Sequence, residues 1–194
     1  MFTGIIRTIG IVKELKSGAV QIVPKGLLRV TMGDSVAVNG VCLTIEQKKG
    51  KVLSFSLMSS TLRATNLGNL KKGHRVNLEL PMRYGDRIHG HFVLGHVDGV
   101  GEVVRILKKQ RSKEVTVRVP AALKTYCVPK GSITLDGVSL TIASVRNRTV
   151  LVSLTPYTLR HTRFANIHVG DKVNVEADLL VKYAIKHIRK KIER

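Results

Sequence analysis

Most of this chain alternates apolar and polar residues in short runs. "TIGIVKEL", "AVQIVP", "DSVAVNG", "VCLTIEQK", "VLSFSLM" and "HRVNLEL" are rich in β-branched residues and separated by Gly, Asn or Lys. That period of two, punctuated by turn residues, predicts strands. "VAV-NG-VCLTI" predicts a tight hairpin, because Asn-Gly accepts the positive φ angles of a type I′ turn. "STLRATNLG" and "YTLRHTRFA" break the alternation. They predict short helical stretches after Ser60 and Tyr157, capped by Ser or Thr. The tail "DLLVKYAIKHIRKKIER" changes period: Leu180, Ala184, Ile188 and Ile192 recur every fourth residue, with Leu179 and Tyr183 alongside. That spacing is one helix face, with Asp178 placed to cap its start and a basic end suited to the negative pole of the dipole.

The strand pattern is written twice. "NGVCLTI" at residues 39–45 returns as "DGVSLTI" 97 residues later, and residues 56–79 fall on 153–176 at the same shift. The openings align at a shift of 91, Gly4 on Gly95 and Gly10 on Gly101, so the second copy holds about six extra residues. The basic run near Lys108 and Lys113 is the expected place for them. A period near ninety is too long for a solenoid and implies a duplicated domain. The expected units are residues 1–87, residues 88–178 and a helix over 179–194. Six short strands per copy suggest a small closed barrel. A lone amphipathic helix outside two barrels must bury its stripe on its own barrel or against another chain, and self-association is the expectation taken forward.

Composition adds little to this. The 194 residues are 43% hydrophobic and only 4% aromatic, without Trp, so the cores must be built from Val, Ile and Leu. Two cysteines, Cys42 and Cys127, are too few for a disulfide framework. The opening "MFTGII" has neither a basic region nor a long apolar run, and no stretch approaches the ~20 apolar residues of a membrane span. Together these predict a soluble cytoplasmic protein with free thiols. The net charge of +20 raises the question of nucleic acid. The Lys and Arg are spread out, however, with no interleaved aromatics for base stacking, so a nucleic-acid partner is not expected.

Along the repeated hairpin, Val41, Leu43 and Ile45 share one face, and Cys42 and Thr44 the other. Val138, Leu140 and Ile142 are matched against Ser139 and Thr141. A small polar pair kept in both copies, beside Gly4 in one opening and Gly95 in the other, points to a pocket where backbone amides and hydroxyls meet the edge of a flat molecule. Two similar pockets imply two similar ligands. The exchanges of Cys42 for Ser139 and of Ile5 for His96 imply unequal tasks. "IHGHFVLGH" supplies His89, His91 and His96; the His-x-His pair of His89 and His91 could bind metal, but no Cys, Glu or third ligand completes such a site at a persuasive spacing. Spacing alone leaves His96 either a proton-moving group or a satisfied structural histidine.

"MFTGII", the paired "NGVCLT" and "DGVSLT", "TLRATNLG" and "HGHFVLGHVDG" carry a resemblance to the riboflavin synthases that runs from Met1 to about Asp178. The resemblance implies an all-β chain of two six-stranded Greek-key barrels, followed by a C-terminal helix through which three chains associate. It implies a reaction in which two molecules of 6,7-dimethyl-8-ribityllumazine dismutate. A four-carbon unit passes between them, giving riboflavin and 5-amino-6-ribitylamino-pyrimidinedione with no cofactor and no metal. It further implies that lumazines stack between the amino-terminal barrel of one chain and the carboxy-terminal barrel of another, and that the enzyme can associate with lumazine synthase.

Carried over by that resemblance, Cys42, Leu43 and Thr44 line one pocket, and Ser139, Leu140 and Thr141 the other. Gly4, Ile5, Ile6 and Gly95, His96, Val97 offer backbone contacts to the rings. Ser56, Leu57, Met58, Ser59, Ser60 and Thr61 edge one pocket near a ribityl chain. Ser153, Leu154, Thr155, Pro156, Tyr157 and Thr158 edge the other. Lys130 reaches one substrate. His96 and Ser139 handle protons, Cys42 or water adds at C7 of the donor, and Thr141, Asp178 and Phe2 support the chemistry, while His91 matches a further family histidine. Two alternatives remain: a non-catalytic relative of the lumazine-protein type, which should have lost one pocket, and a basic barrel that binds RNA.

Overall fold

The computed structural model describes residues 1–16 and 18–192, with side chains described through residue 188 apart from Ser17. Two closed antiparallel barrels account for the repeated strand pattern. The first comprises β1 (Thr8–Lys16), β2 (Ala19–Pro24), β3 (Ser35–Val38), β4 (Val41–Lys49), β5 (Val52–Ser56) and β6 (Arg75–Glu79), in the order β1-β2-β5-β4-β3-β6. The second comprises β7 (Gly99–Lys108), β8 (Lys113–Arg118), β9 (Ser132–Leu135), β10 (Val138–Arg146), β11 (Thr149–Leu154) and β12 (Lys172–Ala177), in the equivalent order β7-β8-β11-β10-β9-β12. Closure removes the sheet edges that short strands would otherwise expose. Each barrel bends at two matched bulges, at Val12/Glu14 and Ile45/Gln47 in one and at Val103/Arg105 and Ile142/Ser144 in the other.

The alternation sorts the side chains as strand geometry requires. On β4, Val41, Leu43 and Ile45 are buried while Cys42 is half-buried and Thr44 exposed; β10 repeats the pattern with Val138, Leu140, Ile142, Ser139 and Thr141. Asn39 and Asp136 have φ of 45° and the following glycines 77°, so both hairpins are the two-residue turns expected from Asn-Gly and Asp-Gly.

Strand register relocates the extra residues of the second copy. Val12 pairs with Ile22, ten residues on, whereas Val103 pairs with Val117, fourteen residues on. Four extra residues therefore lie in the β7–β8 hairpin. The other two lie between β8 and β9, where a short 3₁₀ turn, Ala121–Tyr126, is inserted. The helix caps also depart from expectation. Thr155 caps α2 (Pro156–His161) through the Thr158 N–H, but α1 (Ser59–Ala64) follows Met58, whose side chain makes no capping hydrogen bond. Asp178 does cap α3 (Leu179–Ile192), its Oδ1 accepting from the Leu180 N–H at 2.9 Å. On α3, Leu180, Tyr183, Ala184 and Ile188 are exposed and Val181 and Ile185 only half-buried; the Ile192 side chain lies outside the described residues.

The barrels meet back to back at their hairpin turns. A Cβ on Gly40 would stand 2.6 Å from the Gly137 nitrogen, so only glycine permits this approach. Around the seam, side-chain amides reach across: Asn77 Nδ2 donates to the Asp136 carbonyl, and Asn174 Nδ2 to the Asn39 carbonyl, both at 2.9 Å. Asp136 is fully buried and accepts from Asn66 Nδ2, the Asn174 N–H and Arg163. At the matching positions the first copy has Asn39 and Asn66, and no charge.

Removing one partner of a buried ion pair leaves an uncompensated charge, at ~3–5 kcal/mol. Arg163→Asn should lower unfolding stability by roughly that amount. Adding Asp136→Asn, which restores the neutral pairing of the first copy, should recover most of the loss. Urea denaturation of the single and double variants measures both effects.

Candidate functional site

The leading segment of each barrel is pinned between its own last strand and the other barrel's hairpin. Glu79, at the end of β6, accepts from the N–H groups of Thr3 and Gly4 and from the Thr3 hydroxyl at 2.8–3.2 Å. The Gly4 carbonyl then accepts from the Ser139 N–H of the second barrel at 2.8 Å, and Ile6 is buried in that barrel's core. The second copy mirrors this. Glu176 on β12 holds the N–H groups of Leu94 and Gly95 at 2.8 and 3.1 Å, the Gly95 carbonyl accepts from the Cys42 N–H at 2.9 Å, and Val97 packs on the first barrel's core. Both glycines have positive φ, and a Cβ on either would come within 2.7 Å of the facing Ser139 or Cys42 Cβ.

This exchange regroups the residues expected from sequence. Gly4, Ile5 and Ile6 stand beside Ser139, Leu140 and Thr141 at the second barrel. Gly95, His96 and Val97 stand beside Cys42, Leu43 and Thr44 at the first. His96 is exposed, and because the neighbouring Gly95 bonds Cys42 it stands, within one chain, with Cys42 and not with Ser139. The residue brought to Ser139 is His91: its Nδ1 lies 2.7 Å from Ser139 Oγ and its Nε2 3.1 Å from Thr134 Oγ1. Burial pushes the His91 imidazole below its ordinary value, opposed by the nearby Asp178 carboxylate.

Other expected residues are placed more plainly. Leu57, Leu154, Leu43, Leu140 and Ile6 point their side chains into the cores, so only their backbones can meet a ligand. Ser56, Met58, Ser59, Ser60, Ser153, Thr155, Pro156, Tyr157 and Lys130 are exposed, and Thr61 and Thr158 half-buried. Phe2 is fully buried; it packs with Ala37, Val93 and Cys42 and so backs the thiol from inside.

The half-sites differ as sets. Ala37 is the cross-strand partner of Cys42, and Thr134 of Ser139. One set, with Phe2, Ala37 and Cys42, is apolar around a thiol. The other, with His91, Thr134 and Ser139, is a hydrogen-bonded polar chain. Thr134, Glu79 and Glu176 were not singled out by sequence reasoning. The available signals were the exchange of Ala37 for Thr134 inside the repeated hairpin, and two acids kept at matched positions in a chain with only 13. Among the described residues, no group of three or more His, Cys, Asp or Glu is arranged to hold a metal ion.

Both matched acids are raised above their ordinary value by burial, Glu79 against four hydrogen bonds and Glu176 to about 7. For Glu176, the Leu94 and Gly95 N–H groups and Lys182 pull the other way; Lys182 itself bonds Asp98 at 2.8 Å.

The lumazine binding domain family matches this chain twice, over residues 3–81 and 94–178. The chain is 41% identical to the riboflavin synthase of Bacillus subtilis, over 98% of this chain and 91% of that one. It is 39% identical to the riboflavin synthase of Mycobacterium tuberculosis, over 97% and 98%. Among solved structures it superposes on LumP complexed with riboflavin with a TM-score of 0.84, covering 91% of this chain and 99% of that one at 24% identity. LumP complexed with 6,7-dimethyl-8-(1'-D-ribityl) lumazine gives 0.81 at the same identity.

A raised carboxyl pKa favours folding of the protonated form. The contribution of Glu176 is therefore full below pH 4.5, its ordinary value, and is lost as pH rises through about 7. Wild type should lose up to ~3 kcal/mol from this group across that window, at 1.36 kcal/mol per unit. Glu176→Gln should flatten that part of the profile. Denaturant titrations of both proteins from pH 4 to 8 read the difference.

Proposed function

This chain belongs to the riboflavin synthase family, and from that membership we infer how its two half-sites divide the work. It is a transferase that dismutates two molecules of 6,7-dimethyl-8-ribityllumazine to riboflavin and 5-amino-6-ribitylamino-pyrimidinedione. The observation that carries the division of labour is the paired exchange: each hairpin bonds the leading glycine of the other barrel, at 2.8 and 2.9 Å, making two equivalent but chemically unequal mouths.

In this reading each mouth holds one lumazine. Backbone groups at residues 4–6 and 95–97 meet the ring edges, and the strand ends and short helices at 56–61 and 153–158 meet the ribityl chains. The mouth with Cys42, Thr44 and His96 on one chain faces the mouth with Ser139, Thr141, His91 and Lys130 on another. His96 and Ser139, apart within one chain, are thereby reunited across the contact.

The lumazine 7-methyl group is acidic because its carbanion delocalises into the ring, so a modest base suffices once two rings are held in register. Such positioning is worth ~7–11 kcal/mol. His96 and Ser139 manage the proton, Cys42 or water adds at C7 of the donor, and Asp178 and Phe2 support their neighbours. Neither the carbanion nor the adduct needs a metal or an organic cofactor. Three chains associate through the exposed face of α3 at Leu180, Tyr183, Ala184 and Ile188. The enzyme works in the cytoplasm, in keeping with its free Cys42 and Cys127, and is able to associate with lumazine synthase.

Pure protein incubated with the lumazine alone should develop riboflavin absorbance. Bound lumazine without turnover would instead identify a lumazine-protein-like binder, and salt-sensitive RNA binding without yellow product a nucleic-acid protein. Ser139→Ala should lower turnover by ~10²–10⁴, the scale of acid–base roles, and Cys42→Ser by less. Truncation after Leu179 should leave both barrels folded and weakly able to bind lumazine, while sedimentation shows smaller particles and turnover falls. A monomeric truncated chain with full specific activity would mean that each chain completes its own site.

A further inference from the structure

Thr134 is 1% exposed, and its side-chain oxygen has one hydrogen-bond partner among the described residues, His91 Nε2. The barrel does not require that hydroxyl. In the first copy the same β-register position is Ala37, equally buried at 2%, and the hairpin forms in the same register. A buried hydroxyl is unfavourable unless it is hydrogen-bonded, so its presence here is explained by the imidazole it meets.

A neutral imidazole carries one N–H and one lone pair, and two arrangements are open to His91. If Nε2–H donates to Thr134, the threonine's own proton is left buried with no acceptor. If the Thr134 hydroxyl donates to Nε2, only oxygen lone pairs go unused, and buried donors are the groups that structures rarely leave unpaired. The second arrangement puts the proton on Nδ1, from which it donates to Ser139 Oγ at 2.7 Å. Ser139 Oγ has no other partner among the described residues, so its own hydrogen is free to turn towards the mouth.

We propose that Thr134 is a positioning residue that holds His91 as the Nδ1–H tautomer, so that Ser139 serves the bound lumazine as a hydrogen-bond donor stabilising the anion formed when its 7-methyl group loses a proton. No bond to Ser139 forms and its proton is not taken; the methyl proton passes to His96 of the facing chain, the other proton-handling group of that reading. The serine oxygen accepts from His91 while its hydrogen is directed at the ring, where the negative charge is delocalised. This rests on the lumazine-dismutation reading above, and it assigns Ser139 a donor's part in the proton handling. The first copy, with Phe2, Ala37 and Cys42, lacks this chain of donors, so the anion is stabilised at the second barrel's mouth.

The test uses full-length wild type, Thr134→Val and Thr134→Ser. Two-bond nitrogen–proton NMR of protein labelled in histidine reads the His91 tautomer without substrate. Wild type and Thr134→Ser should show protonated Nδ1 and bare Nε2; Thr134→Val should shift towards protonated Nε2. With lumazine, Thr134→Val should lower kcat about tenfold to a hundredfold, short of the ~10²–10³ lost with an oxyanion donor itself. KM should change less than about twofold, and Thr134→Ser should restore kcat. The pKa of the bound 7-methyl group, read from the anion's absorbance, should rise in Thr134→Val. Ala37 shows that the strand tolerates an apolar residue at this position, and circular dichroism checks the fold. A wild-type His91 protonated on Nε2, or a Thr134→Val enzyme with unchanged kcat, overturns the proposal. Absence of riboflavin formation by wild type would instead overturn the functional reading, with the tautomer still decided by NMR.

Discussion

The architecture depends on two short segments, residues 3–6 and 94–97, each of which must satisfy two masters. Their N–H groups are bound by a buried carboxylate of the barrel they lead into, and their glycine carbonyls by the hairpin of the other barrel. The hairpin strands come so close that only a residue without Cβ, in the left-handed region, fits between them. Because Ile6 fills the second barrel's core and Val97 covers the first, neither barrel is complete alone.

Duplication produced two hairpin–glycine junctions bonded in the same way, and the differences between them act together. A buried threonine beside a half-buried serine would be unfavourable without a partner, at ~1–3 kcal/mol for an unpaired group. His91 partners both, and the first copy uses a different set. There Phe2 closes over Ala37 and Cys42 with apolar surface. Polar side chains at both positions of the first copy would lack that imidazole, which explains why the matched positions 37/134 and 42/139 differ together.

Charge follows the same division between seam and surface. The chain carries a formal +20, yet acids occupy the places where backbone donors must be gathered: Glu79, Glu176 and Asp136 are all nearly or fully buried and all raised by burial. Asp136 alone has a guanidinium against it, with Arg163 replacing the Asn66 of the first copy. Cations dominate the outer surface, and on α3 they flank an apolar face that its own barrel does not cover.

The local rules were legible along the chain. Period-two runs, Asn-Gly and Asp-Gly turns, a 97-residue repeat and a period-four tail specify strands, hairpins, two barrels and a helix, because each depends on residues only a few positions apart or on comparing the chain with itself. The inward and outward faces of β4 and β10 follow from the same alternation, and so does the placing of Cys42 and Ser139 on the outward face. What the chain alone could not show was which leading segment serves which barrel. That depends on a crossing between residues 135 positions apart, driven by hydrogen bonds that no local pattern encodes. Hence His96 sits with Cys42, His91 with Ser139, and Thr134 under the imidazole. Two of the six extra residues fall outside the expected turn, and Met58 precedes α1 without capping it. Sequence determined the parts and their duplication; only the tertiary structure decided the pairing, since burial against a distant partner is what makes one hydroxyl necessary and its counterpart an alanine.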